Sequence, residues 1–276
     1  MNYRQLLAIA ALNIAISIPA LTRPAQAEII EAVTENVNQA YDIQRWSGNR
    51  DTNTTCNKLY NITLPDQPVR SGNVSFRHQV EKCGERSEFR MQNTDIGSTY
   101  WYGWSQRIPT QWQSTDDYDI LTQFLAYPSD KDFAKHAGQG GCGSAGSYFM
   151  RYGDSLAFYF QRQSDDNSKP IICTPYHLFT LDEIKGKWVD YVMQVKWTGN
   201  KDGFLKLWTR VQGDIYRERI NYTGRTFWND EDQGPYFKMG IYKGDPNYSG
   251  YAPRVIHTDE YKLGDINSNF REVAPK

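Results

Sequence analysis

The stretch Trp188-Val189-Asp190-Tyr191-Val192-Met193-Gln194-Val195-Lys196-Trp197-Thr198 carries the deciding pattern. Val189, Tyr191, Met193, Val195 and Trp197 fall on one side of an extended chain, with Asp190, Gln194 and Lys196 on the other. Successive side chains of a strand point to opposite faces, so this period of two predicts a strand covered by a core on one face only. After the turn Thr198-Gly199-Asn200-Lys201-Asp202-Gly203, Phe204–Val211 resumes the alternation with Leu205, Leu207 and Val211 inward. Upstream, Asn73–Val80 sets Val74, Phe76, His78 and Val80 against Ser75, Arg77 and Gln79. Such runs, separated by polar and Gly-rich breaks, predict an all-β chain: a jelly-roll sandwich of two antiparallel sheets. Helical periodicity is confined to Glu28–Tyr41 and a short turn at Leu181–Lys185.

The N-terminus reads as an export signal. A basic start at Met1–Arg4, an apolar run from Leu6 to Leu21 and the small-x-small triplet Ala25-Gln26-Ala27 predict a signal peptide over 1–27. Asn13, Ser17 and Pro19 interrupt the run too often for a membrane anchor, so no span is expected after cleavage. The expected location is secreted or periplasmic. The remaining stretch, 28–276, shows no linker or repeat and is expected to form one domain, acting as a monomer. A net charge of −1 argues against nucleic acid as a partner, which calls for a basic surface. Eight Trp and nineteen Tyr are enough both to fill a sandwich core and to leave rings for stacking on sugars. Cys56, Cys83, Cys142 and Cys173 are an even set, which in an oxidising compartment predicts two disulfides. The simplest pairing is Cys56–Cys83 with Cys142–Cys173; the other two pairings stay open, and no close spacing supports zinc.

Three segments gather polar groups on one face. Arg86-Ser87-Glu88-Phe89-Arg90 aligns Arg86, Glu88 and Arg90. Tyr236-Phe237-Lys238-Met239-Gly240-Ile241-Tyr242 aligns Tyr236, Lys238, Gly240 and Tyr242 over an apolar back, and Gly240 is expected to let a sugar ring approach the backbone. Ile120–Ala126 is expected to send Ile120, Thr122, Phe124 and Ala126 one way and Gln123 the other. On one sheet these strands would present Arg, Lys, Gln and Tyr, an inventory for gripping an acidic polymer. Removing the proton beside a uronate carboxylate builds negative charge, and Arg, Lys or Gln stabilises that charge as it forms. A Tyr or His then takes the proton, and a Tyr hydroxyl can protonate the departing oxygen.

At this point the chain resembles a known family. Arg86–Arg90 and the Tyr-x-Lys-x-Gly-x-Tyr strand Tyr236–Tyr242 resemble segments of jelly-roll alginate lyases and of the heparin lyase I-like family. Tyr100–Ser105, Ile120–Phe124, Trp188–Asp190 and Val255–Asp259 look like the wider heparin lyase I-like and glucuronan lyase pattern, in order from about Val74 to Asp265. The resemblance implies a concanavalin-like jelly roll and a polysaccharide lyase acting on an acidic polysaccharide with no required cofactor. It implies that Tyr242 is the catalytic tyrosine, that Arg86 and Lys238 line the cleft, and that Gln123 neutralises the carboxylate. Leu125 stands where the family's Gln-x-His strand carries its histidine. Arg90, Tyr236, Trp208 and Gln194 are the further candidate substrate contacts.

Four histidines compete for the vacant base role. His136, in the loop after Gln123, is the one candidate near the lost position. His78 alternates with core residues and reads as a satisfied core histidine, His257 reads as structural, and His177 reads as a loop residue beside Pro175 and Tyr176. The run Asn229-Asp230-Glu231-Asp232 offers hard oxygens to a structural Ca²⁺, a solvated turn being the plainer reading. Gly138–Gly146 is Gly-rich but lacks the Lys-Ser/Thr of a phosphate cradle. Other functions remain on the same fold. A lectin-like binding module fits the loss of histidine at Leu125, whereas Lys238 with Tyr242 favours chemistry. A glycoside hydrolase would need paired cleft carboxylates, and no Glu-x-Asp-x-x-Glu arrangement is present.

Overall fold

A computed structural model describes residues 27–33, 57–63, 68–126, 146–164, 171–228, 233–243 and 253–276. The alternating stretches form strands, and the strands form two antiparallel sheets. The first sheet runs β12 (Arg217–Thr223), β11 (Phe204–Val211), β10 (Trp188–Lys196), β5 (Thr99–Arg107), β14 (Arg254–Gly264), β3 (Val74–Val80) and β2 (Asn57–Thr63), with β1 (Ile29–Val33) also paired to β14. The second runs β4 (Arg86–Asn93), β13 (Tyr236–Lys243), β6 (Tyr118–Leu125), β7 (Gly146–Tyr152), β8 (Ser155–Gln163) and β9 (Ile171–Thr180). Sequence neighbours β3 and β4 lie in different sheets, the crossing expected of a jelly roll.

The inward faces interlock in one aromatic core. Val189, Tyr191, Met193 and Val195 enter it from β10 and Trp197 from the residue just after it, as their spacing predicts, and Phe89, Phe124, Phe149 and Phe237 meet them from the second sheet. Trp104 stacks on Tyr191 at 4.9 Å and 9°, while Phe124, Phe149 and Phe237 present their edges to Trp104. Each such side chain contributes about 1.5–3 kcal/mol on burial, with edge-to-face pairs adding to it.

One buried polar group ties the layers together and another braces the outer face of the first sheet. His78 on β3 is fully buried. Its Nδ1 lies 2.9 Å from the Ser87 carbonyl of β4 and its Nε2 2.9 Å from the Thr258 hydroxyl of β14. It is a satisfied core histidine, and burial holds its pKa down at about 3. On the outer side of the first sheet, Asp190 is wholly buried among Ser105, Arg70 and Arg210, accepting from Arg70 at 2.8 and 2.9 Å and from Arg210 Nε at 2.7 Å. Arg210 also donates to the Pro275 carbonyl at 2.9 Å, drawing the C-terminal tail over this face. Two four-residue helices complete the fold, α1 (Leu181–Ile184) at the expected turn and α2 (Phe270–Val273), each with a capping box.

The N-terminal helix is corrected. Ile29–Val33 is a strand added to β14, with Val33 opposite Tyr261, and 34–41 lie outside the described residues. The stretch of β14 beyond its pairing with β3, Tyr261–Gly264, offers the backbone partners that an isolated amphipathic turn lacks. His177 is likewise in a strand, the edge strand β9, where Pro175 forfeits no ladder bond on the open side; the His177 ring meets the Ser155 hydroxyl at 2.7 Å. Among the described residues, Cys83 and Cys173 are each disulfide-bonded and no cysteine is free, while Cys56 and Cys142 lie outside the described residues. Among the described residues no helix is long and apolar enough to cross a membrane.

Candidate active site

Strands β4, β13 and β6 lie side by side, with β13 in the middle. Register sets Arg86 opposite Tyr242, Glu88 opposite Gly240 and Arg90 opposite Lys238; across the other edge of β13, Lys238 faces Gln123 and Tyr242 faces Ile120. Facing residues in a pair project to the same side, so one sheet face collects all the groups that the alternation singled out on these strands.

The centre of this face is Lys238. Its ammonium donates to Glu88 Oε2 and, at 3.2 Å, to Gln123 Oε1. Arg86 stands 3.8 Å from the same Glu88 oxygen and 2.8 Å from Glu85. Lys238 is 7% exposed, Glu88 4% and Gln123 3%, so this is a built polar cluster and not a solvated ladder. The Arg86 guanidinium lies over the Tyr242 ring at 4.2 Å, and Arg90 covers Tyr236 at 4.1 Å. Arg86 Nε is buried without a hydrogen-bond partner, a donor that an incoming carboxylate can satisfy.

Electrostatics refine the roles. Burial opposes the Arg86 charge, but Glu88, Glu85 and Tyr242 outweigh it and its pKa lies above the ordinary arginine value. For Tyr242 burial dominates: it raises the phenol pKa, and Arg86 recovers only part of the rise. The neighbouring cations therefore do not make Tyr242 a ready phenolate. Those cations are partly neutralised by Glu85 and Glu88, and desolvation acts first.

Several expected placements change. Trp208 and Gln194 belong to the first sheet. Trp208 stacks on Trp101 and meets Phe270, and Gln194 pairs across β10 with Trp101 and Lys206 on the outer side, away from the Lys238 face. Ile120 turns toward the Tyr242 side, packing with Tyr148, because the β6 register shifts between Ile120 and Thr122. Gly240 also serves packing. At φ +147°, a Cβ there would lie 2.1 Å from the Ser87 carbonyl and 2.8 Å from His78 Nδ1. Leu125 stands opposite Tyr236, so no imidazole occupies that position. His257 is buried with its pKa lowered to about 4 by burial and by Arg107 and Arg77. His136 and the Asn229–Asp232 run lie outside the described residues, and among the described residues no acidic or Cys/His cluster is arranged for a metal.

The face also extends farther than expected. Tyr148 on β7 stacks on Tyr159 on β8 at 5.1 Å and 8°, and both pack with Tyr118, Met150 and Tyr242 around Ile120. The alternation of Gly146–Tyr152 and Ser155–Gln163 carries the signal for these residues.

A family profile described as polysaccharide lyase matches residues 41–262. The chain belongs to this polysaccharide lyase family. No curated protein matches this lyase. Among solved structures, endo-β-1,4-glucuronan lyase of the fungus Trichoderma reesei is similar to the lyase with a TM-score of 0.62 and 19% identity, covering 90% of this chain and 94% of that one. The marine PL-14 alginate lyase of Aplysia kurodai follows with a TM-score of 0.51 and 12% identity, covering 74% and 86%. At these identities the likeness is one of fold, and it is the jelly-roll fold expected from the alternation.

Proposed function

We propose that this polysaccharide lyase cleaves a uronic-acid-containing polymer by β-elimination on the face built by β4, β13 and β6. The observation that carries the reading is the Lys238 ammonium held against Gln123 and Glu88, beside an Arg86 that covers Tyr242 and keeps a donor spare. Arg86, Lys238 and Gln123 bind the uronate carboxylate and stabilise the charge that grows as the adjacent carbon loses its proton. Tyr242 serves as both base and acid. Its phenolate takes the proton, the C–O bond to the leaving sugar breaks as the double bond forms, and the same phenol returns a proton to the departing oxygen. One residue can do both when proton and leaving oxygen lie on the same side of the ring. The fold likeness to a glucuronan lyase supports a uronate polymer as substrate. Export past a signal ending near Ala27, with Cys56–Cys83 and Cys142–Cys173 as the pairing, belongs to the same proposal.

The test is a screen of glucuronan, alginate and heparin for products with the ultraviolet absorbance of an unsaturated sugar end, repeated with Tyr242→Phe. Wild type yields such products. Tyr242→Phe keeps the ring, folds normally and loses at least about 100-fold in rate, the usual weight of a general acid–base group. Products lacking unsaturation overturn elimination. A largely active Tyr242→Phe beside a dead His136→Ala gives the base role to the loop histidine.

A further inference from the structure

We infer that Glu88 is a positioning residue: a built-in carboxylate that holds Lys238 and Arg86 in place and offsets part of their charge, so that the cleft engages a polyanion without trapping it. The inference rests on the lyase reading above and assigns a role to a residue that the reading leaves aside.

Glu88 is the middle member of its strand's polar row, with Arg86 two residues before it and Arg90 two after. The position facing it across β13 is Gly240, which has no side chain, so the carboxylate can lean along the sheet to Lys238. One Glu88 oxygen serves both Lys238 and Arg86. A carboxylate this buried is costly unless paired, and an amide or apolar residue would fill the same place without that cost. What the charge adds is a fixed ammonium. The long Lys238 chain is held with its head at Gln123, where a flexible side chain would otherwise lose rotamer freedom each time substrate arrives. It also adds balance. Without Glu88, Arg86 would keep the half-exposed Glu85 as its carboxylate partner and the Lys238 ammonium would lose its own. The cut fragments keep their carboxylates, so a cleft with uncompensated cations would bind product as firmly as substrate.

The expected signature is a split between kinetic constants. Glu88→Gln keeps the shape and removes the charge. KM and the inhibition constant of uronate oligosaccharide products should each fall roughly 3- to 10-fold at low salt, with a steeper loss of binding as salt is added. kcat should fall at least about 10-fold, through a misplaced ammonium and slower release. Glu88→Asp keeps the charge but shortens the reach, so kcat should drop while KM stays near wild type. A merely structural Glu88 would lower the melting temperature without moving kcat and KM in this pattern. If wild type cuts a uronate polymer and folded Glu88→Gln has an unchanged or raised KM, the inference is wrong and the lyase reading stands. Should Glu88→Gln fail to fold, a Glu88→Asp enzyme with wild-type kcat overturns it equally. If wild type cuts no uronate polymer, the lyase reading fails first and the inference with it.

Discussion

Tyr242 sits half-buried against Ile120 and Tyr118 with the Arg86 guanidinium over its ring. Burial lifts its pKa above 10.0 and Arg86 pulls it back in part, so at neutral pH the hydroxyl is almost wholly protonated. That suits the acid half of its work and limits the base half, which needs the rarer phenolate. The base-competent fraction therefore grows tenfold per pH unit up to the folded pKa. The lyase rate on saturating substrate should keep climbing through the range where an ordinary tyrosine would level off. Arg86→Gln removes a cation that lowers the pKa, so the rising limb should move further alkaline as well as fall in height. A pH–rate profile measures both effects, and a plateau reached between pH 6 and 8 would point to an imidazole. Leu125 is what makes this profile informative, because no histidine on that strand shares the titration.

Strand β13 depends on a backbone that most residues cannot adopt. Gly240 takes φ +147° beside the Ser87 carbonyl, the carbonyl that also meets His78, and the β13–β6 register shifts between Met239 and Tyr242. Gly240→Ala should cost at least about 2 kcal/mol in urea unfolding, from a strained φ together with a contact that only backbone movement can relieve. It should also lower turnover, since Lys238 and Tyr242 flank the distortion; an alanine variant as stable as wild type would show that β13 relaxes freely. The same irregularities mark where sequence reading stops. Strict alternation located β10, β11, β3 and the site faces of β4 and β13, because a half-covered sheet leaves no choice of face. It misplaced Ile120, because a register shift inside β6 turns that residue over while leaving Gln123 in place. Helical periodicity suggests a helix over Glu28–Tyr41, because the partner that makes Ile29–Val33 a strand, β14, lies more than two hundred residues away. Trp208 and Gln194 are strand residues of the right chemistry, but which of two sheets a strand joins is a property of the crossover and not of its own pattern.

Across the molecule, three buried titratable groups link pH to stability, and one of them, His78, stands at the join between the sheets. His78, between β4 and β14, is held at about 3 by burial, and His257 at about 4. Each binds fewer protons folded than unfolded, so its stabilisation is complete above the unfolded value near 6.5 and is lost as pH falls toward the folded pKa. Asp259 works the other way. Burial raises it from 3.8 to about 7 although the Arg70, Ser71 and Glu260 backbone N–H groups all donate to it, so its contribution is present at low pH and fades as pH rises to about 7. From about pH 6.5 down to about 4 the two histidines outweigh the one carboxyl, and acidification should destabilise the fold with net proton uptake. For His78 alone the effect is on the order of 3–5 kcal/mol across the whole window. Chemical denaturation between pH 7 and 4.5 should show stability falling toward acid, and His78→Gln should flatten that slope even though it weakens the fold at pH 7. The double variant His78→Gln/His257→Gln leaves Asp259 as the one member of this trio still titrating, so its slope should flatten further or reverse. An unaltered slope in both variants would mean that the join between the sheets opens to water before the imidazoles take up protons.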